Sequence, residues 1–298
     1  MRIVTVMDYS DTTHITMCKI WLYLAKRFNP KSQIIIFYHK KIPKIKKFAT
    51  YFSNITFIKL TMSKILKTSK TNGFTHPSQE LKLAIWKYVE KYHIDKFLYI
   101  EPDAFILSSL DTWWKLASKK PYIAVAERDF LGHTLFNAGP HSYFSKKKFV
   151  TYDKLLQQYH DDGNCVILPS GEQGIINAYF KKIKYNCFHK KIGHEYNCIA
   201  KKCIVKKVCD DEIIIYSGNL FSSWITILPI FIKKIIFRID RLESLYWWRS
   251  WYWWNHPKKV KILHAFGDGF KFWELPECKI LWEYCVSKCI TIEKINNK

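Results

Sequence analysis

The sequence predicts an α/β fold built on a mainly parallel, open sheet, and three observations predict it. Short β-branched runs alternate with amphipathic stretches through the first two-thirds of the chain, which is the pattern of strands joined by crossover helices. The apolar run over residues 97–100 leads straight into Glu101-Pro102-Asp103. A second polar break, Asp8-Tyr9-Ser10, follows the first apolar run in the same way, and open α/β sheets keep their ligands beyond the carboxyl ends of their strands.

The elements follow in order. Residues 2–7 read as a strand, 15–27 as a helix, 33–38 as a strand, 44–52 as a helix and 55–59 as a strand. A helix is predicted over 78–92, with Ser78 as N-cap and Leu81, Ile85 and Val89 recurring at helical spacing. Residues 97–100 and 122–126 are the next strands, followed by a turn at Phe136-Asn137-Ala138-Gly139. A helix over 146–160 and another opening at Ser170-Gly171-Glu172-Gln173 complete this part, and a late apolar strand over 260–263 runs into His264. Three segments result: a core over 1–203, an aromatic and basic insertion over 204–257, and a closing segment over 258–298.

Composition excludes a disordered chain, since 48% of the 298 residues are hydrophobic and 17% aromatic. Net charge is +23, and Lys supplies 42 of the 48 basic residues against six Arg. Such a potential attracts nucleotides, anionic lipids and nucleic acid alike. A basic nucleic-acid-binding protein is therefore the rival class, but the lysines are dispersed and no nucleic-acid module is evident. Nine cysteines, an odd number, point to a reducing compartment. Met1 opens directly into a strand with no secretory leader, and no run of about 18 apolar residues predicts a spanning helix. A cytoplasmic location is the expectation. Cys187, His189, His194, Cys198, Cys203 and Cys209 lack paired Cys-x-x-Cys spacing and read as thiols rather than zinc ligands.

The insertion differs in character. Trp224, Ile225, Ile227, Leu228, Ile230, Phe231 and Ile232 precede Lys233-Lys234, and a tryptophan-rich run spans 247–254. Residues 220–254 suit peripheral attachment to a membrane surface, completion of a core or homodimer interface, or a platform for an acceptor.

The chemistry-bearing residues lie far apart in sequence. Glu101 and Asp103 are two apart on extended backbone and point the same way, so both carboxylates can address one cation. A divalent ion bridging a diphosphate needs hard oxygen ligands, tolerates an imidazole, and benefits from a cationic side chain on the remaining phosphate charge. Glu101, Asp103 and His264 supply the ligands and Lys271 the cation.

Five blocks in order resemble glycosyltransferase family 8, the retaining enzymes that include glycogenin and bacterial lipopolysaccharide galactosyltransferases. They are Leu81-Lys82-Leu83-Ala84-Ile85-Trp86; Tyr99-Ile100-Glu101-Pro102-Asp103; Phe136-Asn137-Ala138-Gly139; Gly171-Glu172-Gln173-Gly174 continuing to Asn177; and Lys261 through His264, Gly267 and Lys271 to Trp273. Tyr196-Asn197 resembles a sixth. The resemblance covers 1–203 and about 258–275. It implies a Rossmann-like glycosyltransferase A fold and metal-dependent, retaining transfer of a sugar from a UDP-sugar donor to a hydroxyl of a glycan, glycolipid or protein acceptor, with Mn2+, or Mg2+ in its place. By matched position, Glu101, Asp103 and His264 would hold the metal. Lys271, with Gly267 in the same block, would meet the diphosphate, and Lys82 the ribose or phosphate. Asp8 and Tyr9 would lie beside the nucleoside, Asn137 and Gly139 would face the sugar, and Glu172 and Gln173 would flank the reacting sugar. Glu101 and Glu172 each stand where the family carries Asp, which also leaves open a catalytically degenerate nucleotide-sugar binder.

Overall fold

The computed structural model of the chain describes residues 1–60, 77–128, 134–144, 151–161, 172–189, 191–200, 203–217, 259–265 and 271–296. The first strand, β1 (Arg2–Val6), is buried from Ile3 onward, as a strand covered on both faces must be. Helix α1 (Thr12–Phe28) starts where Asp11 accepts the His14 N–H at 2.9 Å, satisfying one of the free donors of the first turn. It buries Ile15, Cys18, Trp21, Leu22 and Ala25 against the sheet. Strand β2 (Gln33–Tyr38), helix α2 (Pro43–Ala49) and strand β3 (Ile55–Lys59) continue the alternation. Helix α3 (Pro77–Lys91) and β4 (Lys96–Tyr99) then lead to the acidic motif.

The main sheet has six strands in the order β3-β2-β1-β4-β7-β6, with β6 at Tyr122–Arg128 and β7 at Thr134–Phe144. β1, β2, β3 and β4 run parallel, and β7 runs antiparallel to both β4 and β6. One core packs α1, α2 and a short helix α4 (Asp111–Ala117) on one face of the sheet, together with the C-terminal helix α7 (Pro276–Asn296). The other core packs α3, α5 (Tyr152–Asp161) and α6 (Glu172–Lys182) on the opposite face. The predicted fold class is the observed one.

A second, three-stranded sheet decides where the functional residues meet. Its order is β5-β11-β8, formed by Ala104–Ile106, Ile262–His264 and Cys198–Ile199. β11 pairs antiparallel with β5, setting His264 opposite Ala104, and parallel with β8, setting His264 opposite Ile199. Beyond β8, β9 (Cys203–Val208) and β10 (Ile213–Ser217) form an antiparallel hairpin. β9 packs against α7. Tyr216 and Lys259 are bridged antiparallel, and the Val260 N–H donates to the Ile215 carbonyl at 2.7 Å, so the chain leaves at 217 and returns at 259 side by side.

Several expectations shift. The helix expected over 44–52 is Pro43–Ala49, and the helix expected to be capped by Ser78 already includes Pro77, a residue whose fixed φ and missing N–H suit the first helical position. The expected turn at 136–139 is part of β7. Its register against β6 breaks between the His141–Ala124 and Phe136–Ala126 pairs, so residues 137–140 occupy an irregularity in a strand rather than a turn between elements. The late strand is Ile262–His264, placing His264 within it rather than after it. The insertion contributes the β9–β10 hairpin, while residues 220–254, with their expected membrane or dimer role, lie outside the described residues. Among the described residues no helix is long and apolar enough to cross a membrane.

Candidate metal and diphosphate site

The three predicted ligands converge. Ligand atoms of Glu101, Asp103 and His264 all lie within 4.8 Å of one another. His264 Nε2 stands 3.2 Å from Glu101 Oε2 and 3.5 Å from Asp103 Oδ1. The short sheet produces this convergence: β5 begins just after Asp103, its pairing with β11 places His264 beside it, and the Ala265 N–H donates to the Asp103 carbonyl at 2.9 Å. Aromatic packing holds the same two segments together, since Phe105 and Phe272 stack with ring centroids 3.8 Å apart and Trp282 lies parallel to Phe105.

The two predicted cations join the ligands. Lys82, on α3, pairs with Glu101 Oε1, and Lys271 Nζ lies 3.3 Å from Asp103 Oδ2. Burial works against ionisation of both carboxylates. The charges of Lys82 and His264 outweigh it at Glu101, and those of His264 and Lys271 at Asp103, so both are held below the usual carboxylate range. Burial likewise disfavours the His264 imidazolium, yet the adjacent Asp103 and Glu101 push its pKa up to about 9.

Asn197, to which the sequence reading gave no role, completes the set. Its Oδ1 lies 2.8 Å from His264 Nδ1, and both residues are buried. An amide oxygen accepts only, so Nδ1 donates to it, Nε2–H of the protonated ring faces the two carboxylates, and loss of that proton would leave the Nε2 lone pair aimed at a cation between them. Metal-binding histidines are oriented in this way by a partner on the other nitrogen. The sequence does mark Asn197, as half of the Tyr196-Asn197 pair that resembles a sixth block, and the structure sets it directly before β8, the strand that pairs with the histidine strand.

The donor set of two carboxylate oxygens and one imidazole nitrogen could hold a divalent metal ion. Tyr9 stands close by: packing around its hydroxyl, and then the charge of Asp103, raise its pKa well above the ordinary value. Its ring stacks on His14 at 4.8 Å. Asp8 is turned to structure, its Oδ1 accepting the N–H groups of His39 at 2.9 Å and Lys40 at 2.5 Å. Asn137 and Gly139 lie in the irregular part of β7, and Glu172 and Gln173 open α6. α6 packs against β7, bringing those two blocks to one region of the fold. Gly267 lies outside the described residues.

Solved structures share this architecture. The galactosyltransferase LgtC, in complex with donor and acceptor sugar analogs, matches with a TM-score of 0.61 at 15% identity, over 97% of this chain and 96% of that one. The apo form of the glycosyltransferase GlyE from Streptococcus pneumoniae TIGR4 matches with a TM-score of 0.60 at 17% identity, over 98% of this chain and 61% of that one. The fold is a glycosyltransferase fold. Mouse xyloside xylosyltransferase 1 shares it more distantly, at a TM-score of 0.52 and 10% identity over 90% of this chain. No protein-family description matches the sequence, and no curated protein does. In this glycosyltransferase fold, Glu101 leaves the sheet at the carboxyl end of β4, one strand from Tyr9 at the end of β1.

Proposed function

We propose that the chain is a metal-dependent, retaining glycosyltransferase that moves a sugar of the hexose class from a UDP-sugar to a hydroxyl on a glycan, glycolipid or protein. One observation carries this reading: two carboxylates, an imidazole held by Asn197 and two lysines from four separate segments meet at the carboxyl edge of the sheet in a glycosyltransferase fold. Glu101, Asp103 and His264 would hold Mn2+, or Mg2+ in its place. When bound, the ion supplies Lewis acidity to the diphosphate leaving group.

The residues of the chain have separable tasks. Lys271 neutralises charge developing on the departing diphosphate, a stabilisation that needs no proton transfer. Lys82 serves ribose or phosphate, Tyr9 and Asp8 frame the nucleoside, and Gly267 belongs to the diphosphate loop. Asn137 and Gly139 face the donor sugar, with Glu172 and Gln173 beside its reacting carbon. Residues 1–203 and 258–298 form the catalytic unit in this reading, and 204–257 is an accessory segment that meets an acceptor, a membrane surface or a second copy.

The test is Asp103→Asn, which removes one hard ligand. UDP binding in Mn2+ is expected to weaken at least 100-fold by calorimetry and UDP release from UDP-sugars to vanish, with the circular dichroism spectrum retained. Unchanged manganese-dependent UDP affinity would refute the site. Tight binding with no turnover of any UDP-sugar by the unsubstituted chain would make it a non-catalytic binder.

A further inference from the structure

The acidic residues, rather than the lysines, are unevenly placed in this chain. Between Asp11 and Glu80 there is no Asp or Glu in 68 consecutive positions, where 25 acids in 298 residues would place about six. The same stretch carries 13 Lys and Arg, so 13 of the net +23 charges fall in less than a quarter of the chain. Its described part builds α1, β2, α2 and β3, and β3 is the outermost strand at one edge of the main sheet.

Some of these cations have structural partners. Lys19 pairs with Glu293 at 2.6 Å, Lys26 donates to the Ser32 carbonyl at 2.7 Å, and Lys46 donates to the Tyr38 hydroxyl at 2.8 Å. Lys40, Lys41, Lys44, Lys47 and Lys59 differ: all five are exposed, and among the described residues none forms an ion pair. Like charges left unpaired add their fields instead of cancelling them.

Their position gives that field a target. Lys59 ends β3 opposite Tyr38 at the end of β2, and Asp8, just past β1, binds the backbone of His39 and Lys40. The strands are parallel, so Lys59 and, just past β2, Lys40 and Lys41 share the carboxyl edge with Glu101, and Lys44 and Lys47 stand on α2, which starts from that edge; β3 lies three strand spacings from β4 in the order β3-β2-β1-β4. At ~4.8 Å per spacing that is roughly 14 Å. The Debye length is about 8 Å at 0.15 M salt and about 30 Å at 0.01 M, so the site feels this edge strongly at low salt and weakly at high salt. Within the site the two carboxylates are matched by Lys82 and Lys271. Asp8 and Asp11 are the two carboxylates nearest this edge in sequence, against five lysines without an ion pair among the described residues, so the potential of the edge is positive. Among the described residues the large exposed apolar side chains are Tyr92, Ile183, Ile280, Ile290 and Ile295, none of them in this stretch.

We propose that this acid-free edge steers a small polyanion, the nucleoside diphosphate of the donor, toward the candidate site without touching it once bound. The proposal rests on the reading of the site given above. Electrostatic steering of this kind raises association rates by ~10 to 1000-fold and leaves dissociation nearly unchanged.

The experiment compares the full chain with a variant in which Lys40, Lys41, Lys44 and Lys47 are changed to Gln, after circular dichroism confirms that the variant folds. Stopped-flow association of a fluorescent UDP derivative in Mn2+ is measured from about 10 to 300 mM salt. The unsubstituted chain is expected to lose at least tenfold in association rate across that range. The variant is expected to start about tenfold slower, to show a much flatter salt dependence, and to keep its dissociation rate within about twofold. Binding of neutral uridine is expected to be equal in both. Parallel salt dependences would overturn steering alone. A faster dissociation rate with an unchanged association rate would make the lysines direct contacts and overturn it too, as would unchanged UDP association alongside lost sedimentation with phosphatidylserine vesicles. Failure of the unsubstituted chain to bind UDP would remove the reading of the site, and steering with it.

Discussion

Replacing Asn197 by Leu separates the orientation of His264 from its presence. Leucine is close in volume, so the main change is loss of the oxygen that accepts from His264 Nδ1 at 2.8 Å. Both residues are buried, so no water takes its place at the surface, and a buried donor left without a partner costs about 1–3 kcal/mol. With a urea m-value near 3 kcal/mol/M, the unfolding midpoint should fall by about 0.3–1 M. The effect on metal is separate: with Nδ1 facing an alkyl group, the neutral ring favours the tautomer that turns Nε2–H toward Glu101 and Asp103. Loss of such an orienting partner weakens metal binding about 10–100-fold, or about 1.4–2.7 kcal/mol. The assay is Mn2+ titration by electron paramagnetic resonance alongside urea unfolding. Asn197→Asp keeps an acceptor and should retain the affinity. If Asn197→Leu binds Mn2+ as tightly as the unsubstituted chain, or if Asp rescues nothing, the reasoning fails.

Three further outcomes are expected. His264→Ala should abolish manganese-dependent UDP binding while the circular dichroism spectrum is kept, and full binding would reassign the residue to packing. The folded, metal-free His264 has a pKa near 9, so at pH 7 the imidazole is protonated and an arriving ion must displace that proton. Calorimetry in buffers of differing ionisation enthalpy should show about one proton released per Mn2+ at pH 7, with affinity rising with pH up to about 9 and flattening above; pH-independent affinity would contradict this. Phe272→Ala removes a ring stacked on Phe105 at 3.8 Å and almost wholly buried, and should cost about 3 kcal/mol in unfolding free energy and also weaken Mn2+ binding. A stability loss with unchanged metal affinity would show that the stack does not align the two motifs.

Legibility in the sequence tracked the length of each element. β2 and β3 lie at the bounds the sequence predicts, and α1 and α3 within a few residues of them, because strands of five or six residues rich in Ile and Phe and helices of 15 or 17 carry a clear signal. The β5-β11-β8 sheet is not legible in this way, since strands of two or three residues have no period, and its pairing depends on contacts 60 to 160 positions apart. Yet that sheet joins Asp103 to His264, so the convergence was inferred from the order of motifs and not from local pattern. α7 was read as an unassigned tail: apolar residues such as Ile280, Ile290 and Ile295 stand on its exposed side and blur the contrast between its faces. The pairing of Lys82 with Glu101 and of Lys271 with Asp103 is three-dimensional information, as is the hydrogen bond of Asn197.

The bridge between Tyr216 and Lys259 has an engineering consequence. Cα atoms paired across an antiparallel ladder are only about 5 Å apart, so the 41 residues from 218 to 258 begin and end at one spot on the surface. A two-residue Asn-Gly connector in their place makes, with Ser217, a three-residue loop between the bridged Tyr216 and Lys259, a common hairpin length, keeping the strand that carries His264 in register. Such a shortened chain, assayed beside the full one, assigns to those 41 residues whatever acceptor choice or surface attachment disappears, and to the remainder whatever turnover persists.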